Sequence, residues 1–423
     1  MATLAGLRST FAPPIPQTYE ELGLPEGLVL DLVLRRLLIE GFSSLQSLSR
    51  ALKMSLPVVD LAFRHLRSQQ LVEVKGMIGN DYSFVLSQAG KNLASDRFQM
   101  SQYAGSAPVS LNQYTAATKA QTANVKVDRK ALRGALSDLV VTDRMLDQLG
   151  PALISQSSIF LYGPSGNGKT SIAERMLRIY MDAVLIPYAV EVDNQIISLY
   201  DPVVHQKIEL DDPNVDPRWV LCRRPCIVVG GELVPSMLEL RLDDASGIYA
   251  APLQMKANNG IFIIDDFGRQ LMSPRDLLNR WIVPLDRRID YLTLRYGVKF
   301  QIPFELMVVF STNLDPSSLA DEAFLRRIHN KILIEPVDAQ TFDQIFQRVV
   351  AARRVPTEPD SSEYLRKLCL RDGRTELRAC YPLDICNILL SISQYETRPV
   401  QMTKPDVERA VELYFAKSEN GVV

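Results

Sequence analysis

Gly163-Pro164-Ser165-Gly166-Asn167-Gly168-Lys169-Thr170 follows directly on the apolar run Ser158-Ile159-Phe160-Leu161-Tyr162. The octet fulfils the phosphate-loop pattern, and its context is that of a buried strand, a glycine-rich turn and a helix starting near Lys169. Such a junction gathers several backbone N–H groups around one point, where the helix dipole also favours an anion. A polyphosphate suits that cradle. At this spacing Lys169 would neutralise the outer phosphates and the Thr170 hydroxyl would ligate Mg²⁺.

A phosphate loop needs a second acidic element to hold the metal and orient water. Gly260-Ile261-Phe262-Ile263-Ile264-Asp265-Asp266 supplies a fully apolar strand that ends in two carboxylates. Asp265 is expected to bind Mg²⁺ directly or through water, and Asp266 to polarise the attacking water. A third apolar run, Leu306-Met307-Val308-Val309-Phe310-Ser311-Thr312, ends in Asn313, whose amide is placed to orient water near the terminal phosphate.

These segments, with Asp321-Glu322-Ala323-Phe324-Leu325-Arg326-Arg327-Ile328, follow one another in the order of the AAA+ ATPases, which the chain resembles from about Lys130 to Phe415. The resemblance implies Walker A and Walker B elements, ATP and Mg²⁺ as ligands, and hydrolysis of a phosphoanhydride bond. It makes Asn313 match sensor 1 and the Arg326-Arg327 pair match the arginine finger that reaches a neighbouring subunit. The similar run in MoxR-type relatives ends in Arg followed by a bulky apolar residue, which favours Arg327. Hydrolysis would then require a ring oligomer, a hexamer. Arg378 is the nearest match to the basic sensor 2 of the lid, in a region, Leu377 to Asp384, without a clean motif. Asp266 departs from the family's usual Glu by one methylene. Because about 1 Å of misplacement can cost about a hundredfold, slow hydrolysis is one expectation.

Residues 188–257 form a long stretch between the two acidic and glycine-rich elements, and residues 251–260 resemble the approach to the acidic strand in magnesium chelatases and bacterial enhancer-binding activators. Residues 290–303 alternate, turn at Gly297 and alternate again, matching the position of the pre-sensor 1 hairpin. Arg295 and Lys299 fall near its tip, where in a ring they would line the axial channel unless the tip is an ordinary solvated turn.

At 423 residues the chain exceeds a single ordinary core, so two or three domains are expected. A net charge of -2 provides no global field to recruit nucleic acid or an acidic membrane. The five cysteines lack paired spacing and are joined by only three histidines, which supports neither a disulfide frame nor a zinc site. No secretion signal or membrane span is visible, so no membrane insertion and a cytoplasmic location are expected.

The expected organisation is a Pro-rich arm (1–23), a winged helix-turn-helix domain (24–101), a linker rich in Ala, Ser and Thr (102–127), an AAA+ nucleotide-binding domain (128–336) and a helical lid (337–423). The fold class is therefore α/β, a P-loop AAA+ parallel sheet with a helical lid, preceded by a winged-helix domain. Within the winged helix the periodicity predicts helices over 27–39, 44–52 and 56–69, with Ser55 as an N-cap, and a hairpin turning at Gly79-Asn80-Asp81. The third helix opens on Leu56-Pro57-Val58-Val59-Asp60 and keeps Arg64, His65 and Arg67 for its end. A base-reading helix places polar or basic residues at its start, so a protein-docking or regulatory role is favoured over DNA. The leading function is ATP-driven remodelling of a macromolecular client. The alternatives are a DNA-associated regulator or loader and a weakly hydrolysing, ATP-bound scaffold.

Overall fold

A computed structural model describes Ser9 and residues 11–78, 81–123, 127–209, 212–319 and 322–415. The chain divides into two compact units that each draw on separate stretches: residues 1–124, 180–262 and 279–307 form the first, and 125–179, 263–278 and 308–423 the second.

In the first unit, helices Glu26–Glu40, Leu45–Leu52 and Leu56–Ser68 bury Leu28, Val29, Leu32, Leu48, Leu52, Val59 and Phe63 against one another. Their ends are set locally. Ser44 accepts from the Ser47 amide, and Lys53 adopts the left-handed conformation that stops the second helix. Ser55 does occupy the N-cap position of the third helix, but its hydroxyl donates to the Pro16 carbonyl and so ties down the preceding arm instead of capping. Strands Phe42–Ser44, Asp81–Leu86 and Val72–Ile78 make an antiparallel sheet with Asp81–Leu86 in the middle. Phe84 from that strand packs on Phe63, ring centroids 4.5 Å apart. Gly79 and Asn80 of the expected turn lie outside the described residues. Helix Gln88–Met100 completes this part, and only glycine fits at position 90, where a Cβ would stand 2.0 Å from the Leu71 carbonyl oxygen.

The stretch expected to be a linker carries strand Val109–Ser110 and helix Leu111–Ala120, apart from residues 124–126, which lie outside the described residues. A reciprocal capping box between Ser110 and Gln113 starts the helix, and Tyr114, Ala117 and Thr118 bury one face. Val109–Ser110 is also the edge of a five-stranded sheet, in the order Arg241–Asp243, Ile248–Ala250, Gln195–Ser198, Ala189–Val192, Val109–Ser110. Arg218 is 1% exposed and binds three places at once: the neighbouring Asp216 carboxylate at 2.7 Å, and the remote Leu22 and Pro108 carbonyls at 2.9 Å each. Arg224 likewise joins Asp182 to the carbonyls of Gln121 and Asn259. Pairing and hydrogen bonding of this kind are what a buried guanidinium requires.

The expected hairpin is formed by Ile289–Thr293 and Lys299–Pro303, antiparallel, with Gly297 at φ 93° in the turn. Its tip is anchored. The Arg295 guanidinium pairs with Asp244, its amide donates to the Tyr249 hydroxyl at 3.0 Å, and Tyr296 donates to Asp193 at 3.1 Å.

The second unit centres on strand Ile159–Tyr162, which lies parallel between Met307–Thr312 and Asn330–Leu333, with the end of Ile261–Ile264 beyond Met307–Thr312. Ahead of Ile159–Tyr162 run two helices, Arg129–Ala135 and Asp143–Ser155. The β-branched pair Val140-Val141 disfavours helix, and Thr142 caps the second by accepting from the Met145 amide. Helices Ala339–Arg353, Ser361–Cys369, Tyr381–Tyr395 and Lys404–Tyr414 pack around Phe342, Phe346, Leu365, Ile385, Leu389 and Val407. Pro382 and Pro405 sit in first turns, where the missing N–H is harmless. Among the described residues no helix is long and apolar enough to cross a membrane.

Candidate functional site

Register brings Tyr162 level with Thr312 on one side and Leu333 on the other, so the chain leaves the sheet at Gly163 between two strand ends. Two glycines are forced by close approach as well as by conformation. Gly163 has φ 133°, with a Cβ position 2.3 Å from the Ile334 carbonyl oxygen; Gly166 has φ 80°, with a Cβ position 2.7 Å from the Cys380 sulfur. Gly168, also left-handed, is the N-cap of helix Lys169–Met176 and offers no side chain to the first-turn amides, which leaves them to a ligand.

Lys169 is 8% exposed and its ammonium donates to the carbonyls of Gly163 and Pro164 at 2.9 Å each. Burial pushes its pKa down, while the carboxylates of Asp265 and Asp266 oppose that shift. Thr170 Oγ1 lies 2.8 and 2.9 Å from the two Asp265 carboxylate oxygens and donates to them. Ile261–Ile264 is buried along its whole length, as its composition requires, and presents Asp265 half-buried and Asp266 exposed.

The turn that follows is held from two sides. Asp266 adopts φ 47°, a left-handed conformation uncommon outside glycine that Asp tolerates better than most side chains. The Gln270 carboxamide donates to the Asp265 carbonyl at 2.8 Å and the Asp266 carbonyl at 3.1 Å, and accepts from the Gly268 amide at 2.8 Å. From the neighbouring strand, Ser311 O accepts from the Phe267 amide, and the Thr312 hydroxyl donates to the Phe267 carbonyl, both at 2.7 Å. Thr312 Oγ1 also accepts from Leu314 at 3.1 Å, which fixes the backbone around Asn313. The Asn313 side-chain oxygen is buried without a hydrogen-bond partner among the described residues.

Arg378 approaches the loop from the helical part of the same unit, its Nη1 3.4 Å from Ser165 Oγ. The next two residues grip the loop through backbone: Ala379 N donates to Asn167 Oδ1 at 3.2 Å and Cys380 N to Gly166 O at 2.9 Å. Ser165 to Thr170, Asp265, Asp266, Asn313, Ala379 and Cys380 line a cavity of about 740 Å³, whose wall also includes Leu139, Val140 and Val141. Arg348 shapes that wall by donating to the carbonyls of Ser137 and Leu139 at 3.0 and 2.9 Å.

The structure thus gathers Ser165 to Thr170, Asp265, Asp266 and Asn313 around one cavity, while Gly163, Pro164 and Arg378 do not line it and Arg378 reaches Ser165. Arg326 and Arg327 do not line it: Arg326 is exposed, and the Arg327 carbonyl accepts from Ser158 Oγ at 3.3 Å. Asp321, in the same run, lies outside the described residues. Sequence reasoning missed Gln270, Arg348 and Cys380. Their contacts are to backbone, and such contacts leave no motif.

A family model described as a domain of unknown function (DUF8689) matches residues 338–413. No curated protein matches the chain. Among solved structures, the Thermotoga maritima RuvB Holliday junction branch migration motor is similar at 13% identity and a TM-score of 0.36, over 69% of this chain and 72% of that one. NtrX from Brucella abortus in complex with ATP is similar at 12% identity and a TM-score of 0.38, over 70% of this chain and 59% of that one.

Proposed function

We propose that the chain is an AAA+ ATPase that binds Mg-ATP in the cavity between the phosphate loop and Leu139 to Val141, and couples its hydrolysis to remodelling of a macromolecular client. The observation that carries this reading is the Thr170–Asp265 contact at the mouth of the phosphate loop. A hydroxyl and a carboxylate brought together there are hard oxygen donors of the kind Mg²⁺ selects, so the residues fit the metal. Thr170 and Asp265 would hold it, and its charge would offset that of the phosphates. Gly163 to Gly168 would receive the phosphates on backbone amides, with Lys169 turning from its two carbonyls to them. Asp266 would take the proton of the attacking water, Asn313 would orient that water, and Arg378 would meet the phosphates from the helical part. Since Arg326 and Arg327 lie off this cavity, we assign them to the site of an adjacent subunit in a ring, with Arg327 as the finger.

The N-terminal helices and hairpin we read as a winged helix that selects the client. On its third helix Arg64 is paired with Asp60 at 2.7 Å, while Leu56 and Leu61 are exposed, which favours a protein surface over duplex DNA. Calorimetric titration with Mg-ATP and a phosphate-release assay test the core of the proposal. Lys169→Ala should weaken binding by about 10- to 100-fold, the worth of charge-assisted hydrogen bonds of about 1.5–3 kcal/mol. Wild-type protein that does not bind ATP would refute it. Binding without turnover would leave the scaffold reading.

A further inference from the structure

The acidic turn departs from ordinary backbone where the chemistry is proposed. Asp266, at φ 47°, would relax to a more common conformation unless its surroundings held it, and any relaxation would swing its carboxylate. Its side chain cannot provide that restraint, because it is exposed. Backbone contacts share the restraint, through Phe267 to Ser311 and Thr312 and from the Arg269 amide to the Asp266 carbonyl, but Gln270 is the side chain that reaches both the Asp265 and Asp266 carbonyls and the Gly268 amide. One carboxamide thereby closes the turn from Asp265 to Gly268. It uses both donors and its acceptor on backbone, a role that neither an aliphatic nor an anionic side chain of the same size can fill.

We propose that Gln270 is a positioning residue for Asp266: it holds the backbone that aims this carboxylate, without itself touching substrate. The inference rests on the ATPase reading, in which Asp266 takes the proton of the attacking water. Because the hydrogen bonds of its side chain go to the turn and it does not line the cavity, it should govern turnover and leave nucleotide binding alone. Its removal should have no further effect once the carboxylate it aims is gone.

Steady-state hydrolysis and calorimetric ATP binding would be measured for wild type, Lys169→Ala, Asp266→Ala, Gln270→Leu, Gln270→Glu and the double variant Asp266→Ala/Gln270→Leu. Gln270→Leu should lower kcat by about a hundredfold, as a displacement of about 1 Å does, and leave KM and Kd within about twofold. The double variant should match Asp266→Ala alone within about twofold. In Gln270→Glu an ionised carboxylate would face two carbonyls, and protonation would restore one donor. Its rate relative to wild type should therefore rise as the pH falls. Wild-type kcat in Gln270→Leu, or losses that multiply in the double variant, would overturn the inference while leaving the ATPase reading intact. Absent wild-type turnover, or turnover indifferent to Lys169→Ala, would overturn both. If Gln270→Leu fails to fold, as judged by lost ATP binding, the Gln270→Glu ratio decides, and a pH-independent ratio counts against the inference.

Discussion

The amide of Cys380 donates to the Gly166 carbonyl at 2.9 Å, and the Cys380 sulfur fills the space a side chain at position 166 would need. The helical part of the unit thus meets the phosphate loop most closely at Gly166, beside its contacts to Ser165 and Asn167. Gly166→Ala should weaken Mg-ATP binding by about tenfold or more, since a left-handed alanine alone costs about 1–2 kcal/mol and the Cβ must also displace the sulfur. Cys380→Ala in that background should recover only part of the loss, because φ 80° remains. Titration calorimetry on the single and double variants checks both statements.

Arg326 and Arg327 lie away from the cavity of their own chain. If Arg327 completes a neighbour's site, specific ATPase activity should rise with protein concentration and fall by several powers of ten in Arg327→Ala, as for arginine fingers generally. Mixing Arg327→Ala with Lys169→Ala subunits should restore part of the activity. Rates that ignore concentration and mixing would remove the ring from the proposal.

Breaking the Arg218–Asp216 pair should be costly, because both side chains are essentially inaccessible, at 1% and 2% exposure. Arg218→Met is expected to destabilise the first unit by about 3–5 kcal/mol, chiefly by stranding the Asp216 carboxylate, and Asp216→Leu added to it should return part of that. Denaturant unfolding followed by Trp219 fluorescence reports on it, since Trp219 is buried beside the pair in sequence.

His205 is buried, with Nδ1 accepting from the Asp201 amide at 2.9 Å and Nε2 2.9 Å from the Lys256 carbonyl. Burial holds its pKa below the ordinary 6.5. In the window between the two values the unfolded chain binds a proton that the folded chain does not, so stability is full above pH 6.5 and declines as the pH falls toward the folded pKa. Replacing His205 by Gln should flatten that decline in urea midpoints measured across pH 5–7.

The sequence was most legible where chemistry demands particular residues in a fixed order. Gly163 to Thr170 and Ile261 to Asp266 stood out because the phosphate-loop pattern fixes type, spacing and flanking hydrophobicity together, and the structure does place Gly163 and Asp265 at the ends of buried strands. Helix Leu111–Ala120 escaped notice although Ser110 and Gln113 spell a capping box, because its Ala- and Thr-rich composition masks the periodicity of Tyr114, Ala117 and Thr118. The joining of residues 180–262 and 279–307 to the N-terminal stretch was not legible at all. It depends on Arg218 and Arg224, whose partners lie as far as 196 and 103 positions away and leave no local trace. Gln270 illustrates the same limit at close range, since a glutamine four residues past a carboxylate pair looks like any surface residue.

Val109–Ser110, only two residues long, runs parallel to Ala189–Val192 and finishes the five-stranded sheet on that side. A fragment begun at residue 128, the natural place to cut from the sequence, would lack this border. Ala189–Val192 would then become an open edge, free to pair with another copy, and such a fragment should aggregate. In inheritance the same border limits simple shuffling: a recombination point between Ser110 and Ala189 separates a strand from the sheet it completes, whose next strand is encoded eighty residues later. The two stretches are expected to be gained, kept and lost together.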